Sequence, residues 1–84
     1  MRLVWDPSGW EDYVHWQSAD RAMVKRINRL IEACLREPSS GIGKPEQLTY
    51  GAPGAWSRRI TDEHRLVCLV DGGDVIILQA RYHY

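Results

Sequence analysis

The chain has 84 residues, with 11 Lys or Arg against 11 Asp or Glu, so its formal net charge is zero. That length leaves room for one domain with one core, and the charge balance excludes a protein that finds nucleic acid by long-range attraction alone. Four Trp and four Tyr with no Phe supply large apolar rings that carry polar handles, suited to a core, an oligomer interface or a nucleobase platform.

Leu3-Val4-Trp5 is a short strand candidate, and its three apolar residues are too few for a signal peptide. Ser8-Gly9-Trp10-Glu11 has the S-x-x-E form of a capping box and predicts a helix starting near Gly9. Trp10, Tyr13, Val14 and Gln17 share one face of that helix, with Trp16 beside it. A second helix is predicted from about Ala19 to Arg36, because Met23, Val24, Ile27, Leu30, Ile31, Cys34 and Leu35 follow i, i+3, i+4, i+7 spacing. Pro38 ends it, and residues 39–43 read as loop.

The period then changes. Glu46 to Tyr50, Trp56 to Thr61, Arg65 to Val70 and Val75 to Tyr82 read as four strands, separated by turns at Gly51 to Gly54, Thr61 to His64 and Asp71-Gly72-Gly73-Asp74. The last of these is a hairpin signal. The order β-α-α-β-β-β-β predicts an α+β domain spanning 1–84, with two N-terminal helices packed on an antiparallel sheet. Cys34 and Cys68 sit inside apolar patterns, without CxxC or Cys/His spacing, and read as two buried free thiols rather than metal ligands. No membrane span is expected, and the location predicted is cytoplasmic.

Strand alternation places the polar groups. Arg65, Val67 and Leu69 share a face, as do Ile77, Gln79, Arg81 and His83. The opposite face, Leu66, Cys68 and Val70 with Ile76, Leu78 and Ala80, is predicted to lie under the helices, provided that no bulge shifts the register. Arg58 and Arg59 point to opposite faces, so one of the two reaches the sheet surface while the other caps an acid such as Asp62 or faces solvent. His64 reads as structural and His15 as a solvated helix residue.

Glu46, Arg65 and His83 fall on separate predicted strands in the half without helices. A carboxylate, a guanidinium and an imidazole suffice for metal-free RNA cleavage. The carboxylate takes the proton of a ribose 2′-hydroxyl, Arg binds the phosphoryl oxygens, and histidinium protonates the departing 5′-oxygen. The segment Arg81-Tyr82-His83-Tyr84, following an apolar strand, has the composition of an anchored functional segment rather than a frayed tail.

Gly43-Lys44-Pro45-Glu46-Gln47-Leu48, Trp56-Ser57-Arg58-Arg59-Ile60-Thr61, His64-Arg65-Leu66-Val67 and Arg81-Tyr82-His83-Tyr84 resemble the YoeB toxins of the RelE superfamily, in order and across the whole chain. The resemblance implies the toxin of a type II toxin–antitoxin system. Such a toxin enters the ribosomal A site, cuts mRNA there without a cofactor, is neutralised by a YefM-like antitoxin and forms a homodimer. By the same resemblance Glu46 is the general base, Arg65 the phosphate stabiliser, His83 the general acid and Tyr84 a substrate-orienting group, while Lys44, Arg59 and Arg81 contact RNA. Thr49 stands where a Lys is expected, which predicts weaker RNA or ribosome binding. Two other readings remain open at this level. One is a catalytically weak antitoxin-binding and autorepression module. The other is a ribosome-independent ribonuclease similar to the small microbial guanyl ribonucleases.

Overall fold

The computed structural model describes residues 1–49 and 53–82. Its elements are β1 (Leu3–Trp5), α1 (Pro7–Ala19), α2 (Arg21–Arg36), β2 (Glu46–Gln47), β3 (Ala55–Arg59), β4 (Arg65–Asp71) and β5 (Asp74–Gln79). The five strands form one sheet in the order β1-β5-β4-β3-β2. β2, β3, β4 and β5 pair antiparallel, but β1 lies parallel to β5, with Val4 opposite Ile76. The sheet is therefore mixed, because a strand placed before two helices returns to the edge left open beside β5.

The helices begin two residues away from the sequence expectation. Asp6, not Ser8, caps α1: its carboxylate accepts from the Ser8 N–H at 3.0 Å, and Pro7 takes the first turn, where no donor is needed. Asp20 caps α2 in the same way, accepting from the Ala22 N–H at 3.0 Å. In α2 the apolar stripe is buried as its period predicts, with Met23, Ile27, Leu30, Ile31 and Cys34 in the core. Trp16 is the corresponding anchor of α1, while Trp10 stays half exposed, its ring edge-on to Trp5. Between β4 and β5, Gly72 and Gly73 both have positive φ (55° and 88°), the backbone that a two-residue hairpin demands.

The face assignment needs one correction. Cys68 lies opposite Ile77 but Val67 lies opposite Gln79, so Leu78 is an extra residue in β5. This bulge inverts the parity of the first half of β5. Val75 and Ile77, rather than Ile76 and Leu78, join Leu66, Cys68 and Ala80 in the core beneath the helices. Both cysteines are free and buried there, as expected. Cys68 donates toward Cys34, which lowers the Cys34 thiol, and the positive charge of Arg58 acts in the same direction. Cys68 is pushed up by that bond and by burial. Among the described residues, no helix is long and apolar enough to cross a membrane.

Candidate functional site

Register brings three of the predicted residues, Glu46, Arg59 and Arg65, to one face of the sheet. Glu46 in β2 lies opposite Ser57, Ser57 opposite Val67, and Val67 opposite Gln79, so these four form one row. In the next row Arg59 at the end of β3 lies directly opposite Arg65 at the start of β4. Leu66 and Cys68 point into the helix-covered core, so both rows stand on the face without helices. Strand spacing separates β2 from β4 by about 10 Å, and two residues along the strand add an offset of about 7 Å. A carboxylate on one side and two guanidiniums on the other thus flank a strip of sheet floored by Ser57 and Val67. Like charges opposed across a strand pair are destabilising, and an anion seated between Arg59 and Arg65 reverses the sign of that interaction.

The groups differ in how firmly they are held. Arg65 is nearly buried, and its Nη1 donates to the carbonyls of Thr61 (2.7 Å), Asp62 (3.1 Å) and His64 (3.1 Å). These bonds lock the guanidinium onto the β3–β4 loop. Glu46, Arg59 and Lys44 are exposed. Three grooves of about 240, 240 and 330 Å³ lie along α2 and its following loop, between α1 and α2, and between β1 and α2. The rows bearing Glu46 and Arg65 lie apart from them, with Glu46 and Arg59 exposed above the buried Ser57 and Val67.

Glu46 is placed through a residue that the alternation argument misjudged. Arg58 neither caps an acid nor faces solvent; it is 1% exposed on the helix side of β3. Its Nη1 donates to the Ile42 carbonyl at 2.7 Å. Its Nη2 donates to Ser40 at 2.6 Å, Glu37 at 2.8 Å and Pro38 at 3.2 Å. One buried cation therefore gathers four carbonyls of the α2–β2 loop, and the chain leaves that loop directly into Lys44 and Glu46. The Gly43 carbonyl accepts from the Arg59 N–H at 2.7 Å, which completes the attachment to β3.

The segment leading to His83 is held just as closely, although His83 and Tyr84 themselves lie outside the described residues. The Ala80 N–H donates to Asp12 (3.0 Å) and the Ala80 carbonyl accepts from the Trp16 indole (2.9 Å). Next, the Tyr82 N–H donates to His64 Nδ1 at 2.7 Å, and the Tyr82 carbonyl accepts from the Arg65 N–H and the Gln79 amide, each at 3.0 Å. Arg81 leaves the face assigned to it by alternation. Its guanidinium lies 4.6 Å from the Tyr82 ring and 6.0 Å from the Trp16 ring, with Nε buried and without a hydrogen-bond partner among the described residues. Sequence reasoning missed Asp12, Trp16 and Gln79 as holders of this segment.

Two non-glycine residues among those described have positive φ, Lys44 (50°) and Tyr82 (62°). A left-handed conformation costs an L-residue about 1–3 kcal/mol, and such residues cluster at functional sites. One precedes Glu46 by two residues and the other precedes His83 by one. Backbone strain therefore marks both segments singled out by the chemistry. Among the described residues no group of His, Cys, Asp or Glu has an arrangement that could hold a metal ion.

Residues 5–84 match the family model described as the YoeB-like toxin of bacterial type II toxin–antitoxin systems. Toxin YoeB of Streptomyces coelicolor is 54% identical over 84 residues, covering all of both chains. A solved YoeB/ParE toxin from Agrobacterium tumefaciens superposes with a TM-score of 0.94 at 49% identity, again over all of both chains. The Staphylococcus aureus protein is similar both as a YoeB dimer (TM-score 0.91, 42% identity) and in a YoeB–YefM complex (0.89, 41%), covering 100% of this chain and 98% of that one in each case.

Proposed function

The chain belongs to the YoeB-like toxins of bacterial type II toxin–antitoxin systems, and from that premise we propose that it is a metal-independent endoribonuclease that cuts mRNA in the ribosomal A site. The observation that carries this reading is the register that sets Glu46 across the open face from Arg59 and Arg65, with the entry to His83 tied to the first residue of β4. In the reaction Glu46 takes the proton of a ribose 2′-hydroxyl, whose oxygen bonds to the adjacent phosphorus. Arg65, fixed through Nη1, presents the rest of its fork to the phosphoryl oxygens as negative charge builds there. His83 gives its proton to the 5′-oxygen as the P–O5′ bond breaks, leaving a 2′,3′-cyclic phosphate. DNA lacks the attacking hydroxyl and is inert. Tyr84 orients the nucleotide, and Lys44, Arg59 and Arg81 contact the RNA backbone.

An open sheet with three chemical groups does little to position a flexible strand, and positioning alone can be worth about 7–11 kcal/mol of barrier. A ribosome that presents bent mRNA supplies that term, which is the reason for the ribosome dependence. The partners under this reading are the 70S ribosome with its mRNA, a YefM-like antitoxin and a second copy of the chain. The test is cleavage on programmed 70S ribosomes with the mRNA ends mapped by primer extension. Wild type is expected to cut within the A-site codon far faster than it cuts free RNA, and its slow cut of free RNA is expected to persist in chelator. Glu46→Ala, Arg65→Ala and His83→Ala are each expected to lose about 10²–10⁴-fold. Equal rates with and without ribosomes, or a chelator-sensitive cut of free RNA, would overturn the proposal. Growth arrest by a folded triple variant would favour the antitoxin-binding module instead.

A further inference from the structure

The last described residues are held by contacts that the cleavage chemistry does not use, and the tightest of them ends on an imidazole. His64 Nδ1 accepts the Tyr82 N–H at 2.7 Å, while the next residue along, Arg65, donates its own N–H to the Tyr82 carbonyl at 3.0 Å. Consecutive residues, His64 just before β4 and Arg65 at its start, therefore grip both backbone polar groups of Tyr82. The His64 ring is itself fixed. It stands edge-on to Trp16 with centroids 4.9 Å apart, and the Tyr82 ring lies 5.5 Å away on a tilt. Trp16 in turn is anchored through its indole N–H to the Ala80 carbonyl, and Asp12 takes the Ala80 N–H. Tyr82 sits in the left-handed region at φ 62°, where an L-residue is held only by its surroundings.

We propose that His64 is a positioning residue of this toxin: as a hydrogen-bond acceptor through Nδ1, it holds Tyr82 in its left-handed conformation and so sets the direction in which the chain enters His83. The proposal rests on His83 being the general acid. The chemistry requires the neutral ring with its hydrogen on Nε2, because an Nδ1 that carries a hydrogen meets the Tyr82 N–H as a second donor. Without that acceptor, Tyr82 loses the bond that opposes its return to negative φ, and a turn of one residue redirects everything after it. The ring does not touch the substrate in this account. It acts through the backbone of Tyr82, and the effect falls on the rate of a bound complex rather than on its formation.

The test compares His64→Ala with His64→Asn, whose side-chain oxygen falls near the place of Nδ1. Single-turnover cleavage on programmed ribosomes is measured across toxin concentrations. In parallel, hydrogen exchange of the Tyr82 amide is followed by NMR in a His83→Ala background, a readout independent of cleavage. A displacement of about 1 Å costs about 10²-fold in rate. His64→Ala is therefore expected to lose about that much at saturating toxin, with the half-saturating concentration unchanged, and Tyr82 exchange is expected to quicken about tenfold. His64→Asn is expected to recover most of both losses. Equal damage in the two variants, or a loss confined to half-saturation, would overturn the proposal. So would a protected Tyr82 amide in His64→Ala. If His64→Ala does not fold, His64→Asn beside His64→Leu decides by the same measures. If His83→Ala cleaves like wild type, the acid assignment fails, while the exchange data still decide whether His64 holds Tyr82.

Discussion

Replacing Arg58 by Met tests how much one buried cation contributes to both fold and site. The guanidinium donates four hydrogen bonds, at 2.6–3.2 Å, to carbonyls between Glu37 and Ile42. A hydrogen bond from a charged group contributes about 1.5–3 kcal/mol, but these four share two nitrogens and one desolvated charge, so they do not add. Met fills most of the volume of the stem and removes the charge. The loss then reduces to four carbonyls without their donor, some of which turn to water at an exposed loop. Breaking a buried charged network costs about 3–5 kcal/mol in general, and recovered hydration places this one near the lower bound, at about 3 kcal/mol. Stability for 84 residues is about 4–13 kcal/mol in total, and each kcal/mol shifts Tm by about 4–8 °C in a domain this small. A fall of about 12–24 °C in Tm, followed by circular dichroism, is the expected result. Arg58→Lys, which keeps the charge but not the fork, should fall between the two. Cleavage measured well below either Tm should also drop, because the loop leads into Glu46. A Tm within about 2 °C of wild type would refute the reasoning, since it would mean that the loop is held by its own turns.

Three further outcomes follow from particular contacts. Gly9 of α1 lies against β5 so closely that a β-carbon would meet the Ile77 carbonyl oxygen; Gly9→Ala should therefore destabilise by about 1–3 kcal/mol in urea unfolding, despite the better helix propensity of Ala. Trp16→Phe keeps the ring but leaves the buried Ala80 carbonyl without its indole donor, for an expected loss of about 1–3 kcal/mol in the same measurement. Arg2 holds the Asp74 carboxyl below its ordinary value, through a hydrogen bond first and charge second. A depressed carboxyl stabilises the fold above its unfolded pKa and loses that contribution as pH falls through the lowered one. The Tm difference between wild type and Asp74→Asn should accordingly shrink on acidification below about pH 4, and a difference that grows instead would reverse the sign.

What was legible in the sequence was what repetition reveals. The stripe of α2 recurs often enough to outweigh any single position, and strand, helix, helix, strands came out in the right order. Face assignment along β5 failed because a bulge at Leu78 adds one backbone residue without any compositional mark. His64 is structural, as its sequence context predicts, but what it and Arg58 bind is hidden for a different reason. Their partners are backbone carbonyls and an amide, groups that every residue offers, so no spacing in the sequence points to them. The cap of α1 is legible in the sequence: Asp6-Pro7 is as good a start signal as the Ser8 box.

The zero net charge does not conflict with the proposed RNA-directed face, because five of the eleven acids are engaged elsewhere. Asp6 and Asp20 cap helices, Asp12 accepts from Ala80, Glu37 from Ser39, and Asp74 binds Arg2 at the β1 edge. These acids answer local backbone and side-chain demands, away from the rows that bear Arg59 and Arg65. Exposed charges farther apart than about 8 Å are largely screened at physiological ionic strength. A phosphate arriving between Arg59 and Arg65 therefore responds mainly to the charges near it, those two groups with Glu46 and the loop acids Asp62 and Glu63, and hardly to the sum over the chain. Balanced charge weakens attraction at a distance while leaving contact electrostatics intact. Such a site depends on something else to bring the strand to it, and under the proposed function the ribosome does that work.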